Sequence, residues 1–136
     1  MGLKPLEQFI CDQCGRLIEN VDEGWLEWYD DYKNPAHGFR IVHARQNCYY
    51  PDKAGVSDNH LVYFTGNDGL AVLLNLFKRR GVADQNELAE IIRRLHIPHY
   101  EEARRYWERA VSEGMVDNED YRQAELQAVI KEYSET

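Results

Sequence analysis

The sequence predicts an α+β protein in which a small β-rich module is followed by a bundle of helices. Residues 1–65 contain short aromatic and β-branched runs separated by turn-forming residues, as expected of strands. After Asp68 the apolar residues instead recur every three or four positions, which is the spacing of amphipathic helices. We therefore predict two units, residues 1–65 and residues 66–136, the second ending in an extra C-terminal helix.

Length and composition agree with a folded, globular chain. The 136 residues are 43% hydrophobic and 12% aromatic, which is enough for a core in one domain or in two small ones. No apolar run approaches the ~18 residues of a membrane span. Residues 1–7 also lack the apolar block of a signal peptide. We therefore expect a cytoplasmic protein with no membrane partner.

The predicted strands lie at residues 25–29, 39–43 and 61–64. The first two flank the turn-rich segment DDYKNPAHG and should form a hairpin. Residues 51–60, which contain Pro51, Gly55 and the polar run VSDNH, are predicted to form a loop before the third strand.

Four helices are predicted in the second half. The first ends at Gly81, and the second covers residues 85–96 with Asp84 as its N-cap and Glu87 completing a capping box. Pro98 ends that helix. The third is predicted over residues 99–113, with Trp107 facing the core, and the last over roughly residues 119–134.

The motif CDQCGR at residues 11–16 suits half of a zinc site. The two sulfurs of such a turn converge on one point, and the glycine lets the backbone direct amide N–H groups at the thiolates. A tetrahedral ion needs two further ligands, and HARQNC supplies His43 and Cys48 after the predicted hairpin. The sequence therefore predicts one structural zinc ion held by Cys11, Cys14, His43 and Cys48.

Other interpretations of the cysteines are weaker. A thioredoxin-like redox pair needs a helix N-terminus within a βαβ unit, and none is predicted here. Rubredoxin-like iron needs four thiolates, whereas the chain has three cysteines, an odd number that also argues against a disulfide framework. Unrelated buried thiols are a further alternative. His37 or His60 could replace His43, but His43 ends a predicted strand five residues before Cys48.

On these residues the segment 9–50 resembles treble-clef and LIM-like zinc fingers. In that family a CxxCG turn and a later His/Cys pair hold one structural zinc, and the resemblance implies that role for the same four residues here. The chain departs from the family in its wide second spacing and in YYP after Cys48, where many such fingers begin a helix.

No pattern in the chain predicts catalysis. Four soft ligands would close the metal site, whereas catalytic zinc keeps an open position for water. The chain lacks HExxH, a deaminase motif and a glycine-rich phosphate loop. We therefore expect a protein that is not an enzyme, and a metalloenzyme or thiol redox protein is the least favoured alternative.

The helical half has its own resemblance. Residues 86–98, NELAEIIRRLHIP, and the later EGMV are similar to the helix-turn-helix and winged-helix superfamily over residues 69–117. The resemblance implies that the third helix enters a DNA major groove. The arginines that would contact double-stranded DNA are Arg93, Arg94, Arg104, Arg105 and Arg109. Against this, Glu101 and Glu102 begin that helix, and no basic wing follows Val116.

The charge pattern leaves two functions open. The net charge is −8, but residues 78–109 carry eight bases and six acids, so this window is +2 and the remainder −10. We expect a DNA-binding or transcription-associated regulator, with dimerisation through residues 119–134. The alternative is an adaptor that binds a protein partner. A continuous exposed basic face would favour DNA, and burial of the arginines in ion pairs would favour the adaptor.

Overall fold

The computed structural model describes residues 2–31, 34–51 and 55–134, and within these ranges the fold is α+β as predicted. No helix in them is both long and apolar enough to cross a lipid bilayer. Five strands come first: β1 (Phe9–Ile10), β2 (Leu17–Ile18), β3 (Gly24–Tyr29), β4 (His37–His43) and β5 (Val56–His60). Five helices follow: α1 (Gly66–Arg80), α2 (Gln85–His96), α3 (Tyr100–Ala103), α4 (Trp107–Ser112) and α5 (Gln123–Tyr133).

The smaller sheet is a hairpin of β1 and β2 that carries the CDQCGR turn. Phe9 pairs with Ile18, and both side chains are fully buried, which fixes the hairpin on the main core. Gly15 has a φ of 74°, in the left-handed region that glycine adopts without steric cost. Its N–H donates to the carbonyl of Cys11 at 2.9 Å and closes the turn.

The larger sheet is antiparallel with the order β4-β3-β5. The hairpin of β3 and β4 was predicted, and it pairs Leu26 with Ile41. The predicted third strand is wrong. Residues 61–64 form a 3-10 turn that buries Leu61 and Phe64, and the polar segment before them is the edge strand β5. Pairing with the backbone of β3 compensates for its weak strand composition.

The helices α1 and α2 agree with the prediction. Asp84 caps α2, since its Oδ1 accepts the N–H of Asn86 at 2.8 Å. Glu87 does not complete a capping box. Its Oε1 accepts the N–H groups of Gly38 at 2.8 Å and Phe39 at 3.3 Å, and so joins α2 to β4.

The single helix predicted over residues 99–113 is wrong in detail. It is divided into α3 and α4, because the N–H of Tyr106 donates to the carbonyl of Ala103, an i→i−3 bond of 2.9 Å that tightens the chain. The last helix, α5, begins at Gln123 rather than near residue 119.

Two hydrophobic clusters hold these elements together. The larger one combines both sheets with α1 and α2: the ring of Trp28 lies 6.4 Å from that of Phe64 and 5.2 Å from that of Phe77. The smaller one joins α3, α4 and α5 around Trp107 and Leu126, so Trp107 faces a core as predicted. Core contacts therefore cross the predicted boundary between residues 65 and 66.

A buried ion-pair network connects the metal-binding turn to the helices. Arg94 of α2 is 2% exposed and donates to Glu101 from Nε at 2.7 Å and from Nη2 at 2.9 Å. Its Nη1 donates to Oδ2 of Asp12 at 2.7 Å. Glu101 also accepts the N–H of Ile10 at 2.9 Å. Burial alone would lower the pKa of Arg94, but the carboxylates of Glu101 and Asp12 raise it, so the guanidinium stays charged.

Removing Arg94 should therefore destabilise the protein strongly. Arg94→Ala leaves the buried carboxylate of Glu101 without its cation, and we expect a loss of about 3–5 kcal/mol in the free energy of unfolding. Urea denaturation of zinc-loaded protein measures it. Arg105→Ala is the control, because Arg105 is exposed and its loss should change stability by less than about 0.5 kcal/mol. Equal stabilities of the two variants would contradict this role for Arg94.

Candidate metal centre

Three elements bring the predicted ligands together. Cys11 and Cys14 lie on the turn between β1 and β2, His43 ends β4, and Cys48 ends the 3-10 turn Gln46–Cys48. The three sulfurs and the imidazole nitrogen all lie within 4.8 Å of one another. Residues that are 29 positions apart in the chain thus meet at one point, close enough to hold a metal ion.

The distances suit a tetrahedral ion. Nδ1 of His43 lies 3.4 Å from Sγ of Cys14 and 3.9 Å from Sγ of Cys48. In tetrahedral zinc coordination, Zn–S bonds of about 2.3 Å and Zn–N bonds of about 2.0–2.1 Å place sulfur and nitrogen roughly 3.5 Å apart. The donor atoms therefore need only small shifts to accept the ion.

The orientation of His43 is fixed by its other ring nitrogen. Nε2 lies 3.0 Å from the carbonyl oxygen of Leu17, which can only accept, so Nε2 carries the hydrogen. Nδ1 then presents its lone pair to the cysteines, as a metal-binding histidine requires. The two alternative histidines lie elsewhere: Nδ1 of His37 is 3.0 Å from the carbonyl oxygen of Pro35, and the ring of His60 stacks on Trp25.

The electrostatics of the cysteines favour a bound cation. Burial raises the pKa of Cys11, but hydrogen bonds from backbone amides, including the N–H of His43 at 3.4 Å, lower it to about 6. Burial, followed by the neighbouring Cys11 and Cys14, raises the pKa of Cys48 to about 11. Cys48 therefore stays protonated at neutral pH unless a positive charge lies beside it, and a divalent ion would supply that charge.

Asp12, between the two cysteines of the turn, fixes this turn to the sheet. Its N–H donates to the carbonyl of Ile41 at 2.8 Å, and its Oδ2 accepts the N–H of Ile41 at 2.8 Å. The same Oδ2 accepts from Arg94. No sequence pattern indicates this role, because the partners of Asp12 lie 29 and 82 residues away.

The arginines predicted to bind DNA are mostly engaged within the chain. Arg94 lies in the interior. Nη2 of Arg104 is 2.9 Å from a carboxylate oxygen of Glu90. The structure therefore removes Arg94 from the predicted basic face and neutralises much of the charge of Arg104.

The remaining three arginines lie against tyrosine rings. The guanidinium of Arg93 is 4.8 Å from the ring centre of Tyr121, and that of Arg105 is 5.4 Å from Tyr106. Arg109 lies over Tyr133 and also pairs with Glu113 at 3.5 Å. The five arginines thus do not form one continuous, unpaired basic surface.

The two acids at the start of the third predicted helix also point inward. Glu101 and Glu102 are both buried, although the sequence placed them where groove contacts would begin. Oε1 of Glu102 accepts the N–H of Leu3 at 2.7 Å, as Glu101 accepts that of Ile10. They hold the N-terminal segment rather than face solvent.

No protein-family model matches the chain, and no curated protein or solved structure is significantly similar to it. The resemblances to zinc fingers and to helix-turn-helix domains therefore remain predictions from the motifs alone.

Purified protein should contain about one zinc ion per chain, measured by elemental analysis of material never exposed to chelator. Cys14→Ser should lower the zinc content well below that of the wild type and loosen residues 9–50, because binding free energy at such a site contributes to folding. Loosening is measured by amide hydrogen exchange.

His60→Asn is the matched control. It alters one of the two histidines weighed as alternative ligands, and His60 lies outside the cluster, so zinc content should stay at the wild-type value. Wild-type protein without metal, or a disulfide between Cys11 and Cys14 in protein kept under cytosolic thiol conditions, would contradict the assignment.

Proposed function

We propose that the protein is a zinc-stabilised, non-enzymatic module that binds another protein. The observation that carries this proposal is the state of the five arginines: one is buried, and the others face carboxylates or tyrosine rings of their own chain. Burial of Arg94 and the ion pairs of Arg104 with Glu90 and of Arg109 with Glu113 reduce the positive charge available for contact with DNA phosphates. The net charge of −8 adds repulsion from a polyanion.

Zinc is the metal that suits this donor set. Three thiolates and one imidazole at tetrahedral distances are a common structural zinc site, and softer ligands of this kind exclude magnesium and calcium. Four protein ligands leave no coordination position for water, so the ion stabilises the fold and does not activate a nucleophile. The hydrogen bond from Nε2 of His43 to Leu17 supports that role by fixing the ring.

The C-terminal helix does not present a free apolar face for dimerisation. Leu126, Val129 and Tyr133 of α5 are buried in the smaller core, against α3 and α4. Dimerisation through residues 119–134 would have to use the polar side of α5. A partner of a different kind is therefore favoured over a second copy at this helix.

DNA binding is the function against which this proposal is tested. Fluorescence anisotropy of a labelled DNA duplex should show no binding by zinc-loaded protein at about 50 mM salt. Affinity purification of the tagged chain from its native cells should, in parallel, recover a protein partner in stoichiometric amount.

The double variant Arg104→Ala/Arg105→Ala tests whether any DNA binding depends on these two arginines. If the wild type does bind DNA, with a log–log salt slope of roughly −3 to −5, and the variant flattens that slope by about two, the chain is a DNA-binding regulator. The proposal of a protein-binding module is then wrong. Recovery of the partner by the wild type together with absent DNA binding supports the proposal.

A further inference from the structure

One surface of the helical half carries an apolar groove that nothing in the chain covers among the described residues. It lies between α1 and α2 and has a volume of about 460 Å³. Its apolar lining consists of Leu74, Phe77, Val82, Leu88, Ala89 and Ile92. Leu74 is 47% exposed, although a leucine side chain gains free energy by leaving water.

The two helices that form the groove are antiparallel. Nε2 of His96, the last residue of α2, lies 2.7 Å from the carbonyl oxygen of Phe64, just before α1 begins. Their opposite faces are fixed in the core by Leu73 and Ile91. A third helix packs into a groove between two helices through side chains spaced by three or four residues.

Leu70 extends the apolar surface toward the start of α1. It is 36% exposed and precedes Leu74 by one helical turn, so the two side chains lie next to each other. The surface therefore follows the helix axis rather than forming an isolated spot. An elongated occupant fits this shape better than a small ligand does.

Charge at one end of the groove indicates the chemistry of the occupant. Lys78 is the one charged side chain that lines the groove among the described residues, and the exposed Arg79 follows it in the last turn of α1. Asp84, the nearest acid along the chain after them, accepts the N–H of Asn86 as the cap of α2. Lys78 and Arg79 outnumber Asp84, so this end favours a carboxylate over a cation.

We propose that the groove between α1 and α2 binds an amphipathic helix of a partner protein, with leucine-like anchors in the groove and acidic residues beside Lys78. This inference rests on the proposed function as a protein-binding module and names the surface and the partner class. A second copy of the chain is disfavoured as the occupant, since two copies that each carry a net charge of −8 repel each other.

The test uses two labelled peptides of about 16 residues with leucines at i, i+3, i+4 and i+7; one has Glu and the other Lys beside the apolar stripe. Fluorescence anisotropy with the zinc-loaded full chain measures binding. We expect the Glu peptide to bind at tens of micromolar and the Lys peptide at least about threefold more weakly. Failure of the wild type to bind the Glu peptide, or a preference for the Lys peptide, would overturn the assignment.

Three variants locate the binding surface. Leu74→Asn should weaken binding of the Glu peptide about tenfold, because it removes an anchor contact without disturbing the buried core. Val72→Asn is the matched control on the same helix: Val72 is 43% exposed but does not line the groove, so affinity should not change. Lys78→Glu should reverse the preference between the two peptides. Equal effects of the two asparagine variants would overturn the groove as the site.

Two further measurements separate this inference from the proposed function. Sedimentation equilibrium should find a monomer; a dimer that Leu74→Asn dissociates would assign the groove to a second copy and overturn the inference. The partner recovered from native cells should be lost with Leu74→Asn and retained with Val72→Asn. If the partner is retained by both variants, the groove assignment is wrong while the module remains protein-binding. If no partner is recovered and DNA binds instead, the proposed function itself is wrong.

Discussion

The fold depends most on the buried contact between Arg94 and its two carboxylates. Asp12 comes from the turn that carries Cys11 and Cys14 and Glu101 from α3, so a single guanidinium joins that distant turn to two consecutive helices. Such a network is costly to bury and becomes favourable only when every partner is satisfied. Here the carbonyl of Ile10 and the N–H of Ile10 complete it. The relative position of the metal site and the helices therefore depends on a polar contact rather than on hydrophobic packing alone.

The sequence was informative where local rules decide the outcome. The CxxCG turn, the pairing of His43 with Cys48 and the cap at Asp84 each depend on residues close in the chain or on a regular hairpin between them. Prediction from the sequence failed where contacts between residues distant in the chain determine the structure. The polar segment of β5 becomes a strand because β3 offers an unpaired edge, and no composition rule predicts that. Likewise, Arg94 has the sequence context of a surface arginine, and its burial depends on Asp12, 82 residues earlier.

The same limit explains why the motif of the helical half was ambiguous. The apolar pattern of a helix-turn-helix reflects how its helices pack on one another. The same packing occurs in DNA-binding and in protein-binding domains. What distinguishes them is the pairing of the outer charges. Glu90 engages Arg104, and Tyr121 covers Arg93, neither of which the spacing of apolar residues specifies. The metal centre was the easier inference, since its chemistry constrains the residue types themselves.

The order in which the chain leaves the ribosome determines when the N-terminal contacts can form. All four metal ligands are available once residue 48 has left the ribosome, so an ion can be captured while more than half of the chain has still to emerge. Glu101 and Glu102, which hold the backbone of Ile10 and Leu3, follow 91 and 99 residues after those partners. Contacts of such long sequence separation form late, since loop closure must precede them. An ion bound at this stage would organise the nascent N-terminal module before its final attachment to α3, and the N-terminal segment would stay accessible to proteases and chaperones until α3 forms.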